Sequence, residues 1–353
     1  MVKLKVGVSN ESIRGAETKA KIRLGWIAPA FALVTFLTSW ADLYPTLAVE
    51  QWYARGIFPL ISGIARRIAD AVRFSWFDLV IPIGFVLTAW FIRRRQWKWL
   101  LNLAAAFYLI LFWSWALNYH RERLSSKLQV DVPHMKAGAI DDLAMRAAAE
   151  LNRLYKEREG VTYDEAGTLE EARRRVRRVI GIIDGKDWDA PHRVKVSWIA
   201  NRWFRAAGID GMFNPIGHEP IVSETLLDIE RPFVIAHEFA HVQGYPDEGD
   251  ANVIAALATL MSSHPALQYS GWLNLWLYLR NSDRDRLLDS GPREDLQRIF
   301  SRIRRERIEW ISHLQSLILD WFLKANSVEQ GIRSYYRVVL LVAGIEPSWE
   351  RFR

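Results

Sequence analysis

Apolar positions follow two regimes along this chain. In the first third they run almost unbroken. LGWIAPAFALVTFLTSWA (residues 24–41) carries no charge, WFDLVIPIGFVLTAWFI (76–92) holds only Asp78 and an internal Pro82, and WLLNLAAAFYLILFWSWAL (99–117) is again uncharged. Runs of this length read as helices that cross a bilayer, with Trp76 and Trp90 at the two boundaries of the middle run. Beyond residue 118 the pattern becomes periodic. In AIDDLAMRAAAELNRLYKERE, within a region 119–160 expected to be helical, Ile140, Leu143, Ala147, Leu151 and Leu154 share one helical face. TLEEARRRVRRVIGII (168–183) opens with Thr168 and Glu171 at capping-box spacing. RVKVSWIA (193–200) alternates as a strand does, and HEPIVSE (218–224) reads as a short strand that Pro220 consigns to a sheet edge. Pro232 and Gly244 bracket a helix, and further helices are expected at about 248–263, 266–282, 291–324 and 328–344.

The fold expected from this pattern is membrane-anchored: a tail (1–23), a transmembrane region of about three helices (24–118), and a mainly helical α+β domain (119–353). Lys and Arg set its orientation. Lys3, Lys5, Arg14, Lys19, Lys21 and Arg23 precede the first run, and RRRQWK (93–98) separates the second from the third, so both belong on the cytoplasmic side. The 43–75 loop then lies outside, with ISGIARRIADAVRF (61–74) as an amphipathic helix on the outer surface. Everything from Asn118 onward is extracytoplasmic. No small-residue cleavage pattern follows the first run, so it reads as a retained anchor. These features describe a multi-pass inner-membrane protein whose first partner is the lipid bilayer.

Composition changes the picture in two places. The net charge of +7 comes from basic residues dispersed among acids, as where Arg173, Arg174 and Arg175 follow Glu170 and Glu171, which argues against nucleic acid. The absence of cysteine excludes disulfides, thiolate-ligated zinc and a cysteine nucleophile.

The candidate chemistry lies in FVIAHEFAHVQGYPDEGDAN (233–252). On a helix, His237 and His241 project from one face a turn apart, the spacing two imidazoles need to share one Zn2+. Glu238 sits beside them as a general base for metal-activated water. Phe233, Val234, Ile235, Phe239, Ala240 and Val242 surround the histidines, so the helix is buried rather than solvated. Two acids compete as third ligand. Asp247 completes HExxHxxGxxD, the pattern of metzincin peptidases. If a helix begins near Asp247, however, that residue becomes its N-cap. Asp250 then aligns with Ile254 and Leu257 and points back at the first helix, while Glu248 is rotated away. These residues leave Asp247 and Asp250 tied.

Several stretches together resemble a family of bacterial membrane proteins, the domain of unknown function 3810. They are WALNYHRERL, GIDGMFNPIGHEPIVSE, PFVIAHEFAHVQGYPDEGDAN, YSGWLNLWLYL and DWFLKANSVEQGIRSYYRVVLLVAG. The family is similar to gluzincin-type zinc metallopeptidases. The resemblance implies a glutamate followed by Ala-Asn at the position of Asp250, Ala251 and Asn252, which favours Asp250 as third ligand; this chain departs from it by one methylene. It also implies that the HEPIVSE strand lines the cleft, with His218 and Glu219 as candidate substrate contacts, and that Tyr335 is a candidate oxyanion stabiliser. Glu219 reads equally as an ordinary exposed acid, Tyr335 as a packed aromatic, and His264 as a cap before Pro265. The expected function is a zincin-like, zinc-dependent metallopeptidase cleaving peptide or protein substrates in the envelope. The alternative is a non-catalytic sensor or scaffold with a structural or vestigial zinc, which a fourth protein ligand such as His218 or Asp247 would mark.

Overall fold

The computed structural model describes residues 25–130, 135–136, 138–158, 164–185, 193–325 and 335–353; the tail 1–23 lies outside them. The apolar third forms α1 (Ile27–Trp40), α2 (Phe58–Asp70), α3 (Phe77–Arg93) and α4 (Trp97–Ser114). One helix among the described residues, α4, is long and apolar enough to cross a membrane. α1 has 14 residues and α3 has 17, about 21 and 26 Å at 1.5 Å per residue. The three-span expectation is therefore met at full length by α4 alone. α1 and α3 nevertheless pack against α4, and Asn102 of α4 donates to the Gly25 carbonyl at 2.9 Å. Their outer faces leave Phe31, Val34, Phe85, Val86, Trp99 and Ile110 exposed.

Between α1 and α3 the chain is helical from Thr46, with a π-helical stretch at Val49–Ile57 that runs into α2. This segment is amphipathic, and of the run 61–74 expected as an amphipathic helix, residues 61–70 are helical. Val49, Tyr53, Ala54 and Phe58 are buried, whereas Ile57, Leu60, Ile64 and Ile68 form an exposed apolar stripe. The buried face joins Phe112, Trp115 and Leu117 at the end of α4 with Phe213 and Val242 of the main domain in one cluster. The apolar region and the domain thus share a core.

The main domain is mainly helical with a two-stranded sheet. Its elements are α5 (Leu124–Leu128), α6 (Ala139–Glu157), α7 (Glu165–Asp184), α8 (Trp198–Ala207), β1 (Gly211–Asn214), β2 (Glu219–Val222), α9 (Arg231–Val242), α10 (Glu248–Leu260), α11 (Pro265–Leu279), α12 (Ser290–Glu306), α13 (Glu309–Ala325) and α14 (Tyr335–Ile345). The heart of the domain is the α9–α10 pair, with α7, α11 and α14 packed around it. Every residue from Gly249 to Leu260 is buried.

Three local expectations are corrected. α7 begins earlier than the capping box implied: Asp164 caps it, accepting from Gly167 N at 3.0 Å, and the Thr168 hydroxyl bonds back to the Asp164 carbonyl. RVKVSWIA is not a strand throughout: its last three residues, Trp198 to Ala200, are the first turn of α8. Ser197 caps α8, and Asp78 of α3 accepts from Ser197 Oγ, Trp198 N and Ile199 N at 2.6, 3.0 and 2.9 Å. A carboxylate from a distant helix captures the free amides and starts α8 there. Before it, Lys195 makes a single parallel bridge to Ile221. That bridge puts β2 between β1 and Lys195, so Pro220 does not lie on a free edge. β1 is the outer strand, in antiparallel register with Gly211 opposite Val222 and Asn214 opposite Glu219.

Candidate metal centre

α9 is started by Pro232 in its first turn and ended by a glycine device. Gly244 takes φ +86°, which lets Tyr245 N donate to the Ala240 carbonyl and Gly244 N to the His241 carbonyl, a Schellman closure. The turn aims the Tyr245 carbonyl at His241, 2.7 Å from Nδ1. That acceptor holds the proton on Nδ1 and leaves the Nε2 lone pair free for a metal. A Cβ on Gly244 would also strike Phe58 at 2.8 Å, so the position is closed to larger residues.

His237 Nε2 lies 3.0 Å from His241 Nε2. The third donor is Glu248, whose carboxylate oxygen is 3.2 Å from His237 Nε2 and 3.7 Å from His241 Nε2. Among the described residues these three form the cluster able to hold a metal ion, with all ligand atoms within 4.8 Å of one another. Donors at about 2.0–2.1 Å around a tetrahedral zinc lie about 3.3–3.4 Å apart, so the set fits.

Neither aspartate expected as third ligand joins it. Asp247 is the N-cap of α10, accepting from Asp250 N at 2.9 Å, and pairs with Arg337 at 3.1 Å. Asp250 faces the other side of α10, where it pairs with Arg337 at 2.5 Å and accepts from Leu124 N at 3.3 Å. With Asp247 as cap, Glu248 becomes the first residue of α10 and points at α9. Asn252, one turn later on the same face, lies beside His237. The signal in the sequence was a second pair at i, i+4, Glu248 with Asn252, echoing His237 with His241.

The electrostatics are those of a buried charge cluster. Burial favours the neutral form of every member, yet the two histidines hold the Glu248 carboxyl well below the usual carboxylate range. Burial also disfavours the charged form of His241, but Glu248 outweighs it and raises the imidazole to about 9. His237 is lowered, chiefly by burial. Burial pushes Glu238 up to about 8, with His241 offsetting part of the rise. Glu238 Oε2 is buried without a hydrogen-bond partner, and Gly211 of β1 leaves no room for a Cβ beside its other oxygen.

The centre opens into a cleft of about 570 Å³. His237, Glu238, His241 and Glu248 form its floor together with Asn252, β1 supplies Gly211 to Phe213, and Asn274 and Tyr278 of α11 also line it. Trp115 and Tyr119 wall it on the α4 side, and Trp115 Nε1 donates to the His241 carbonyl at 3.4 Å.

The chain matches the model of a family described as "Protein of unknown function (DUF3810)" over residues 53–343. It belongs to this family. The DUF3810 match covers the apolar region from Tyr53 onward, the metal centre and most of α14. No curated protein and no solved structure matches this DUF3810 chain.

Two of the remaining expected site residues fall elsewhere. His218 and Glu219 point into the interior rather than the cleft. His218, at φ +47°, packs between Phe58 and Phe213, and burial lowers it to about 4. Glu219 is 1% exposed, accepts from Ser75 Oγ and Asn214 Nδ2 at 2.6 and 2.9 Å, and pairs with Lys195 at 2.8 Å. Tyr335 opens α14, and its side chain lies outside the described residues. His264 stands at the N-cap position of α11.

Proposed function

We propose that this protein is a membrane-anchored, metal-dependent peptidase with its cleft on the extracytoplasmic side. The observation that carries the reading is the convergence of His237, His241 and Glu248 on one point of an open cleft, with a buried, unpartnered Glu238 oxygen beside them. Zinc is the metal best suited to two imidazoles and one carboxylate in tetrahedral geometry. When bound, it supplies Lewis acidity and a water that ionises near neutral pH. The three side chains would hold it and leave the cleft side open. A structural zinc is instead closed by a fourth protein ligand. Among the described residues His218 is buried elsewhere and Asp247 is committed to its cap, so the arrangement favours catalysis over the scaffold alternative.

The chain's own part in amide hydrolysis falls to Glu238. Its carboxylate removes the proton from the attacking water as oxygen bonds to the carbonyl carbon, and returns it to the leaving nitrogen as the C–N bond breaks. Burial pushes this carboxyl up to about 8, and a cation beside it would draw it back down. Asn274 and Tyr278 provide polar groups in the cleft that can orient a carbonyl.

Anchoring is assigned to α4, with α1 and α3 alongside it as the further spans, because the exposed faces of all three helices are apolar. The Lys/Arg bias between α3 and α4 supports a main domain on the outside. The test is full-length protein in proteoliposomes, supplied with zinc and a peptide library and read by mass spectrometry. Wild type is expected to cleave. Glu238→Gln is expected to retain the metal and lose about 10²–10⁴-fold in rate. A Glu238→Gln variant as active as wild type would remove the mechanism.

A further inference from the structure

α13 has two unlike faces. On one, Ser312, Gln315, Ser316 and Leu319 line the metal cleft. On the other, Trp310, Leu314, Leu317, Ile318 and Trp321 are 67, 41, 56, 49 and 71% exposed. At the helical repeat both sets are contiguous stripes on opposite sides. An exposed stripe of tryptophan, leucine and isoleucine over three turns marks a contact surface.

Its neighbours indicate what it contacts. α8 packs along α13, tied by Trp203 Nε1 to Gln315 Oε1 at 3.0 Å. The start of α8 is held by Asp78 in the first turn of α3. Trp198, the first residue of α8 and 71% exposed, therefore stands where the apolar surface of α3 begins. α8 thus stands in contact with both α13 and α3, linking the stripe to the apolar group. Charge agrees with this: Arg304, Arg305 and Arg307 are exposed just before Trp310, and Arg202 stacks over Trp198 at 5.2 Å. Basic residues beside tryptophans and an apolar stripe suit an anionic lipid interface.

We propose that α13 lies in the outer lipid–water interface of the membrane that anchors the protein, so that one wall of the cleft rests on the bilayer. Another wall, Trp115 and Tyr119, follows the end of α4 by one and five residues. A cleft with both walls at the membrane surface admits a polypeptide that lies along the bilayer or emerges from it. This rests on the membrane-anchored reading, and the experiment separates the two.

The chain has no cysteine, so single-cysteine variants of the full-length protein carry one nitroxide each without background. Leu317→Cys and Ile318→Cys report on the stripe, Phe85→Cys on the exposed face of α3, and Ser301→Cys on the exposed face of α12. Each is reconstituted in vesicles of phosphatidylethanolamine and phosphatidylglycerol, and its collision rates with dissolved oxygen and a water-soluble nickel chelate are measured. The expected result is an oxygen-to-nickel ratio at 317, 318 and 85 several-fold above that at 301. Water-like ratios at 317 and 318 with a lipid-like ratio at 85 would overturn the proposal and leave the anchor intact. Shielding of 317 and 318 from both reagents would also overturn it, in favour of a protein partner or second copy. A water-like ratio at 85 would remove the anchored reading and the proposal with it.

Discussion

Glu248 places a carboxylate oxygen 3.2 Å from Nε2 of His237, while Asp250, two residues further along the same helix, pairs with Arg337 on the far side. Two residues along a helix is a rotation of about 200°. These neighbouring acids therefore cannot serve the same metal, and they separate cleanly under mutation.

Metal content is the first check. Loss of an outer partner of a ligand costs about 10–100-fold in affinity, and loss of a direct ligand costs at least as much. Glu248→Ala is expected to lose zinc at sub-stoichiometric supply. Asp250→Ala is expected to keep about one zinc per chain and to unfold more readily, by about 2–4 kcal/mol, because Arg337 loses a buried partner. Plasma mass spectrometry beside thermal unfolding in detergent reads both. Zinc lost from the Asp250 variant and retained in the Glu248 variant would reverse the assignment.

Gly211 sets the position of Glu238, the proposed general base. A Cβ there would sit 2.5 Å from Glu238 Oε1 and 3.0 Å from Val234 Cγ1, closer than van der Waals contact allows. Gly211→Ala is expected to push the Glu238 carboxylate aside. Turnover should fall by about tenfold or more, as misplaced catalytic groups do, with zinc content unchanged. The comparison is rate per bound zinc, and an unaltered value would show that Glu238 does not work from its observed position.

Acid should unfold the protein through a second buried cluster. Burial works against the Glu50 anion, but ion pairs with Arg121 at 3.0 Å and Lys127 at 2.7 Å outweigh it and hold the carboxyl at about 2. Asp184, paired with the same two cations, is also lowered against the pull of burial. Both acids have folded values below their unfolded ones. Their contribution is complete above about pH 4.5 and disappears as pH falls toward 2. The unfolding temperature should be level with respect to these groups from pH 5 to 8 and drop between about pH 4.5 and 2. Arg121→Met, which leaves two acids with less compensation, is expected to cost about 3–5 kcal/mol at neutral pH and to flatten the acid limb.

Glu219 should behave as a structural residue. Its partner Lys195 also bonds the carbonyls of Ala69 and Phe74 at 2.7 and 3.0 Å, so the pair fastens the segment before α3 to the sheet. Glu219→Ala is expected to lower stability by about 3–5 kcal/mol and to leave KM unchanged where the variant is folded. A raised KM at unaltered stability would return Glu219 to the cleft.

The α9 motif and its boundaries were legible in the sequence because they rest on local chemistry. His237, Glu238 and His241 are fixed relative to one another by helical spacing, and Pro232 and Gly244 end that helix through backbone constraints within a few residues. The apolar runs were equally local, although hydropathy overstated the helical length of the first: the run 24–41 yields a helix of 14 residues, whereas the run 76–92 yields one of 17. RVKVSWIA was misread because its helix is started by Asp78, 120 positions away from Trp198.

The third ligand was decided by tertiary structure alone. An amphipathic helix reveals its phase through its apolar stripe, but α10 is buried from Gly249 to Leu260, so its hydrophobic residues surround the axis and define no face. The stripe drawn through Asp250, Ile254 and Leu257 therefore chose the wrong face and turned Glu248 away from α9. Packing resolved the acids: Arg337 of α14 and the Leu124 amide claim Asp250, the cap claims Asp247, and the face left toward α9 belongs to Glu248 and Asn252. Sequence by itself determined which helix carries the chemistry and that the first third is apolar. The fold determined which acid completes the centre, because that choice depends on charges brought in from elements far apart in the chain.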